Sequence, residues 1–238
     1  MASSKAKQKS APCRLIVVGG HTRSIGKTQL VCDLIAALPS ASWLAGKITQ
    51  FGHGVCAQNG QDCNCAPSEH AVALDWELTD RPLTKNGSDS ARFLKAGAEC
   101  AFWLRTKQGY LAEGMPLLRD ALATASAAQR SGRNDAPNVI IESNSLLQFV
   151  RPSLYITVFD ATRDDFKDSA RRMLDRSDVF VFRRGLDENH LTRPPWLQLP
   201  AQLLRERPSL LQREGEPLPG PLLQLVKRIL DSPPAVTI

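Results

Sequence analysis

A group of residues suited to phosphate chemistry lies near the start of the sequence, where Gly26, Lys27 and Thr28 follow one another. In this order the lysine can reach the terminal phosphates of a nucleotide, and the threonine hydroxyl can ligate Mg²⁺. The loop before them would supply backbone N–H groups as phosphate donors. The predicted nucleotide-binding residues are Gly20, His21, Thr22, Arg23, Ser24, Ile25, Gly26, Lys27, Thr28 and Gln29.

The segments on either side of this loop are the ones that a phosphate site requires. Residues 13–19 are apolar and rich in β-branched side chains, which predicts a buried strand. Leucines recur every fourth residue at Leu30, Leu34 and Leu38, which predicts a helix over residues 26–38. Such a helix points its positive end at a bound phosphate. Gly20 and Gly26 enclose five residues, whereas the common phosphate loop has four between its glycines.

Two further charged residues follow predicted strands. Lys47 comes directly after a short strand over residues 42–46, and Glu142 ends an apolar strand over residues 139–141. The carboxyl ends of parallel strands form the ligand-binding edge of a sheet, so both side chains are expected beside the loop. Lys47 would stabilise charge on a transferring phosphoryl group. Glu142 would hold Mg²⁺ together with Thr28, or orient a nucleophile. Alternatively, Lys47 is a surface lysine at a strand end, and Glu142 is a carboxylate that caps the next turn.

The order of apolar and amphipathic segments predicts an α/β fold with a mostly parallel sheet flanked by helices, the fold of P-loop NTPases. We expect a disordered tail over residues 1–12 and one domain over residues 13–238. Further strands are predicted at residues 100–104, 154–159 and 179–182. Further helices are predicted at residues 90–96, 111–130, 164–174 and 222–230.

Potential metal ligands cluster in residues 50–87, which we predict to be an irregular insert. The five ligands are His53, Cys56, Cys63, Cys65 and His70. Thiolates and imidazoles are the ligands that Zn²⁺ prefers, and four of them close a tetrahedral site. The three cysteines are predicted ligands, and either histidine can be the fourth. Ordinary reduced cysteines and an iron–sulfur cluster are the alternatives, although the spacing is not the usual one for a cluster.

Composition narrows the class of protein. The chain has 238 residues, 42% of them hydrophobic and 23% charged, with a net charge of +6. No apolar run reaches the roughly 20 residues of a membrane span, and the polar N-terminus does not have the apolar core of a secretory signal. Six cysteines without an export signal indicate a reducing compartment, so we expect a cytoplasmic protein. Aromatic residues do not interleave with a basic stripe, which disfavours nucleic-acid binding.

The phosphate loop resembles that of dethiobiotin synthetase, which also has five residues between its glycines. Lys47 resembles the second active-site lysine of that enzyme. This resemblance implies membership of the P-loop class that includes signal-recognition GTPases, MinD-type ATPases and metal-insertion GTPases.

A second resemblance covers roughly residues 13–182. Residues 89–98, with the sequence DSARFLKAGA, are similar to a segment of the molybdopterin-guanine dinucleotide biosynthesis adaptor, the B protein of that pathway. The strand that ends at Glu142 is similar to the Val-x-Val-Glu-Gly strand of that family. This resemblance implies that Asp89 and Arg92 are site residues, whereas a helix cap and a helix-face charge are the alternatives. The chain departs from the family in the length of its loop, in Ser143-Asn144-Ser145 after Glu142, and in its Cys/His insert.

These features lead to three functional hypotheses. The first is Mg²⁺-dependent binding and slow hydrolysis of ATP or GTP that assists cofactor assembly, with molybdopterin-guanine dinucleotide as the cofactor that the resemblance implies. The second is an ATP-dependent kinase or ligase of a small molecule. The third is a metal-delivery protein controlled by nucleotide. The expected partners are a nucleoside triphosphate and a cofactor-biosynthesis enzyme or metalloenzyme, with a homodimer left open. No membrane partner is expected.

Overall fold

The structure, a computed structural model, describes residues 12–52, 72–78, 87–130, 136–183, 199 and 201–238. Its strands are β1 (Arg14–Gly20), β2 (Trp43–Phe51), β3 (Val72–Leu78), β4 (Cys100–Lys107), β5 (Asn138–Glu142), β6 (Leu154–Phe159), β7 (Val179–Phe182) and β8 (Ser209–Leu211). Its helices are α1 (Lys27–Ala37), α2 (Asp89–Lys95), α3 (Leu111–Arg130), α4 (Asp168–Arg171), α5 (Ala201–Glu206) and α6 (Gly220–Asp231).

The strands form one sheet in the order β3-β4-β2-β5-β1-β6-β7-β8. Every pairing is parallel except that of the edge strand β3, which runs antiparallel to β4. This arrangement confirms the predicted α/β fold with a mostly parallel sheet flanked by helices. The strand that precedes the phosphate loop, β1, lies near the centre of the sheet.

Helices cover both faces of the sheet, because the side chains of each strand alternate between the faces. Ile16 and Val18 of β1 pack in the core under α1, α2 and α6. Leu15 and Val17 point the other way, into the core under α3. A central strand that is buried on both faces reads as a continuous apolar run, which explains why β1 could be predicted from sequence.

The structure corrects several sequence predictions. The insert over residues 50–87 is not irregular throughout, because it contains β3. The strand β2 extends to Phe51, so Lys47 lies in its middle and not after its end. The helix predicted over residues 164–174 is reduced to α4 and a short 3₁₀ turn at Leu174–Arg176. The elements α5 and β8 were not predicted.

Two further sequence predictions, on the division into domains and on membrane spans, concern the whole chain. The division into a tail over residues 1–12 and a single domain over residues 13–238 stays a prediction. In the part of the chain that the structure describes, no helix combines the length and the apolar character that crossing a membrane would require.

Candidate nucleotide site

The loop between β1 and α1 has the backbone geometry of a phosphate cradle. Gly26, directly before α1, has φ of 86°, in the left-handed region that glycine adopts without strain. Ser24 is also left-handed, with φ of 53°. Within the described ranges, no side chain caps the N-terminus of α1 at Gly26, and the first turn of α1 contains no acidic residue. The free N–H groups and positive end of this helix therefore suit an anion.

A cavity of about 740 Å³ lies against this loop. Its walls come from five parts of the chain: residues 22–29 of the loop and α1, residues 47–50 of β2, two side chains of α2, residues 142–145 after β5, and residues 167–169. Gln108 and Glu214 complete the lining. The predicted residues Lys27, Thr28, Lys47 and Glu142 thus share one cavity although they are distant in sequence.

Lys27 is folded back over its own loop. Its Nζ donates a hydrogen bond to the backbone oxygen of Thr22 at 2.5 Å. Burial lowers the pKa of Lys27, and the positive charges of Lys47 and Arg23 lower it further, against the opposing effect of Glu142 and Asp89. Among the residues that the structure describes, a carbonyl oxygen and no ion pair holds the ammonium, so an incoming phosphate could replace it without breaking an ion pair.

The Thr28 hydroxyl donates to Glu142 Oε2 at 2.6 Å. Glu142 is buried, with 5% of its surface exposed, and it ends a central strand. A hydroxyl and a carboxylate side by side are hard oxygen donors of the kind that Mg²⁺ accepts together with phosphate oxygens. This pair therefore fits the predicted Mg²⁺ site.

Lys47 reaches the same carboxylate from the neighbouring strand. Lys47 and Glu142 are register partners in the parallel pair β2–β5, so their side chains project from the same face. Lys47 Nζ lies 3.5 Å from Glu142 Oε1 and also forms an ion pair with Asp89. Burial alone would lower the pKa of Lys47, but Glu142 and Asp89 outweigh it and the pKa is raised. Lys47 is therefore a charged lysine held between two carboxylates.

The segment DSARFLK forms α2 and brings two more predicted residues to the cavity. Ser88 caps α2 by accepting a hydrogen bond from the Ala91 N–H, so the capping residue is Ser88 and not Asp89. Arg92 donates to the Gln29 side chain at 2.7 Å and lies 3.6 Å from Asp89. Asp89, Arg92 and Gln29 therefore connect α2 to α1 at the edge of the cavity.

Two predicted backbone donors are already engaged at the start of the loop. The N–H of His21 donates to the Val158 oxygen at 3.2 Å, and the N–H of Gly20 donates to Asn144. The His21 ring is buried and stacks on Phe159 with a centroid distance of 5.4 Å. Gly20 and His21 thus fix the loop to the sheet, and neither lines the cavity.

Sequence reasoning missed Asn144, which clamps the loop. Its Oδ1 accepts from the Gly20 N–H at 2.9 Å, and its Nδ2 donates to the Gly20 oxygen at 2.8 Å. Space for this clamp requires glycine at position 19, because a Cβ there would overlap Asn144 Oδ1 and the Tyr155 hydroxyl. The only signal in the sequence was the departure from the Glu-Gly pattern after Glu142.

Sequence reasoning also missed Lys167, which lines the cavity from the segment after β6. Its backbone N–H donates to the His21 oxygen at 2.9 Å, so this segment lies against the loop. The amphipathic pattern of residues 164–174 predicts a helix and does not indicate that Lys167 lines the cavity.

Arg183 supports the loop from below. It is buried after β7, lies 3.8 Å from Asp33 of α1 and donates to the Gln212 side chain. A Cβ at Gly26 would come within 3.0 Å of Arg183 Nε. The Arg183 side chain therefore points from the end of β7 toward the start of α1.

The predicted zinc ligands His53, Cys56, Cys63, Cys65 and His70 lie outside the described residues, so the zinc site stays a prediction. Elsewhere, in the ranges that the structure describes, no group of three or more His, Cys, Asp or Glu side chains could hold a metal ion. Cys13, Cys32 and Cys100 are buried.

No protein-family model matches the sequence, and no curated protein is similar to it. One solved structure, HypB from Helicobacter pylori in complex with nickel, is similar to the chain with a TM-score of 0.45 and 14% sequence identity. The match covers 91% of this chain and 83% of that chain.

Proposed function

We propose that this protein binds the Mg²⁺ complex of ATP or GTP at the loop Gly20–Gln29 and hydrolyses it slowly in support of cofactor assembly. The observation that carries the proposal is the convergence of Lys27, the Thr28–Glu142 pair and the open N-terminus of α1 on one cavity. Each supplies a different requirement of a triphosphate: a cation for the terminal phosphates, oxygen ligands for Mg²⁺, and N–H donors.

The surroundings of Lys47 support slow turnover. A free ammonium beside a transferring phosphoryl group stabilises the charge that develops in the transition state. Here two carboxylates neutralise Lys47 before any ligand arrives. Glu142 and Thr28 would hold Mg²⁺, which would supply positive charge at the phosphates, while Asp89 would keep Lys47 paired beside them. The proposed catalytic residues are Lys27, Lys47 and Glu142.

The molybdenum-cofactor pathway is the specific assignment that we propose for this activity. It is supported by the similarity of DSARFLKAGA to the adaptor segment and by the position of Asp89 and Arg92 at the edge of the cavity. The choice between ATP and GTP belongs to the experiment.

A kinase or ligase acting on a small molecule is the second candidate. The cavity continues past the phosphate loop along β2 to Thr49, Gln50 and Gln108. Polar side chains there could hold an acceptor beside Lys47. A screen of carboxylate and amine metabolites in a phosphate-release assay with ATP tests this candidate, because strong stimulation by one of them would favour it over slow hydrolysis.

The proposed function is tested by phosphate release from Mg·ATP and Mg·GTP. We expect Glu142→Gln to bind nucleotide but to lose most Mg²⁺-dependent turnover, because the amide is a poor metal ligand. Lys227→Met, which removes an exposed lysine of α6, serves as the control and should behave as the parent protein. Turnover of Glu142→Gln equal to that of the parent would contradict the proposed role of this carboxylate.

A further inference from the structure

The segment after β6 is fastened to the phosphate loop at several points. The Lys167 N–H donates to the His21 oxygen, and the Thr22 hydroxyl donates to Asp165. Between them, Phe166 packs edge-on against the His21 ring at 5.5 Å and lies under the guanidinium of Arg171 at 4.6 Å. These contacts hold the backbone of Lys167 in place, so its side chain is presented to the cavity from a defined position.

Lys167 brings a further lysine to the cavity. Unlike Lys47, it forms no ion pair with a carboxylate in the described part of the chain. Burial lowers the pKa of Lys167 to about 8, and the neighbouring charges of Arg23 and Lys27 contribute to this shift. Three cations directed at one cavity repel one another, and a polyanion there would relieve the repulsion.

We propose that Lys167 binds the terminal phosphate of the nucleotide and makes the site prefer a triphosphate to a diphosphate. This inference rests on the proposed function. Its basis is that Lys167 shares the cavity with Lys27, the lysine placed to reach the terminal phosphates. The Lys167 backbone bonds to His21, and the neighbouring Asp165 accepts from Thr22, so the segment is fixed to the loop. A diphosphate has no third phosphate for Lys167 to bind, so Lys167 adds much less to the affinity for a diphosphate.

The test compares dissociation constants for Mg·ATP with Mg·ADP, and for Mg·GTP with Mg·GDP, in the full chain. We expect Lys167→Met to weaken triphosphate binding roughly ten- to a hundred-fold, the range for a charged hydrogen bond, and diphosphate binding by less than about threefold. Lys167→Arg should restore most of the selectivity because the charge is kept. Lys227→Met is the matched control for removing a positive charge elsewhere.

Proton uptake gives a second readout that a purely structural role would not change. At pH 8 a lysine of pKa about 8 is half protonated, and an anion raises its pKa. Calorimetry in buffers of different ionisation enthalpy should therefore show that the parent takes up about half a proton more than Lys167→Met on binding triphosphate.

Three outcomes would overturn the inference. Equal weakening of triphosphate and diphosphate binding would show that Lys167 acts only through general charge. An unchanged Lys167→Met, with a parent that binds triphosphate, would overturn this inference and leave the proposed function intact. A parent that binds neither nucleotide would overturn both.

Discussion

The clamp between Asn144 and Gly20 gives the most specific prediction. Asn144 exchanges two hydrogen bonds with the Gly20 backbone, at 2.9 and 2.8 Å, across a sequence separation of 124 residues. Replacing it by alanine removes both bonds and leaves the N–H and oxygen of Gly20 without these partners. The loop would then be free to move at the point where it leaves β1.

The expected size of the effect follows from these two bonds. A hydrogen bond contributes about 1 kcal/mol net, and a buried group left unsatisfied costs about 1–3 kcal/mol. Gly20 is buried and Asn144 is half-buried, so water can replace part of the loss. We expect Asn144→Ala to lower the free energy of unfolding by about 2 kcal/mol and nucleotide affinity by about tenfold.

Asn138→Ala is the matched control. Asn138 begins β5, the strand that Asn144 follows by two residues, and there it donates to the Ala41 oxygen at 2.7 Å and accepts from Arg14 at 3.3 Å. Urea unfolding should show similar losses of stability for the two variants, and only Asn144→Ala should lose affinity for Mg·ATP or Mg·GTP. Equal affinities of the two variants would refute the argument that Asn144 organises the phosphate loop.

Three other predictions can be checked with purified protein. Gly46→Ala should destabilise the fold by about 3 kcal/mol in urea unfolding, because a Cβ at position 46 would overlap the Phe102 ring, whereas Gly220→Ala, which meets no atom within 4 Å, should be nearly neutral. Lys167→Met should be more stable than the nucleotide-free parent at pH 7 by about 1 kcal/mol after allowance for screening. The pKa of Lys167 is about 8 in the folded state and 10.5 in its ordinary state, so between these pH values the unfolded protein binds more protons than the folded protein. The parent should therefore gain stability as the pH rises from 8 to 10.5, and the stability advantage of the variant should shrink. A stability difference that stays constant over this pH range would contradict the prediction. Protein purified without added zinc should contain near-stoichiometric metal that a Cys63→Ser, Cys65→Ser double variant loses, and elemental analysis that finds no metal in the parent would remove the zinc prediction.

The strand, loop and helix around Gly26 could be predicted because each has its own pattern in a short stretch of sequence. The apolar run of β1, the glycine at position 26 and the leucine repeat of α1 are contiguous, so strand, loop and helix could be identified together. The start of α2 was predictable because Ser88 caps it, and its end was predictable because the left-handed Gly97 follows it. The rule that parallel strands share an edge led us to expect Lys47 and Glu142 close together. They do lie close, but Lys47 is in the middle of β2 and meets Glu142 as its register partner.

Long-range contacts determine what the sequence could not predict. The edge strands β3 and β8 form because a neighbouring strand offers unpaired backbone groups, and β8 has only three residues. Residues 164–167 have a helical pattern, but the N–H of Lys167 bonds to His21 instead of forming a helical turn. The roles of Asn144 and Lys167 depend on these contacts and correspond to no short motif.

The proposed function requires that the loop Gly20–Gln29 binds a Mg·nucleoside triphosphate. Equilibrium titration of the full chain with fluorescent analogues of ATP and GTP, with and without Mg²⁺, tests it most directly. We expect Mg²⁺-dependent saturable binding of one of the two, and a loss of about a hundred-fold in Lys27→Ala, since its ammonium is a charged ligand of the phosphates. Binding by Lys27→Ala that equals binding by the parent, or a parent that binds neither analogue, would contradict the account.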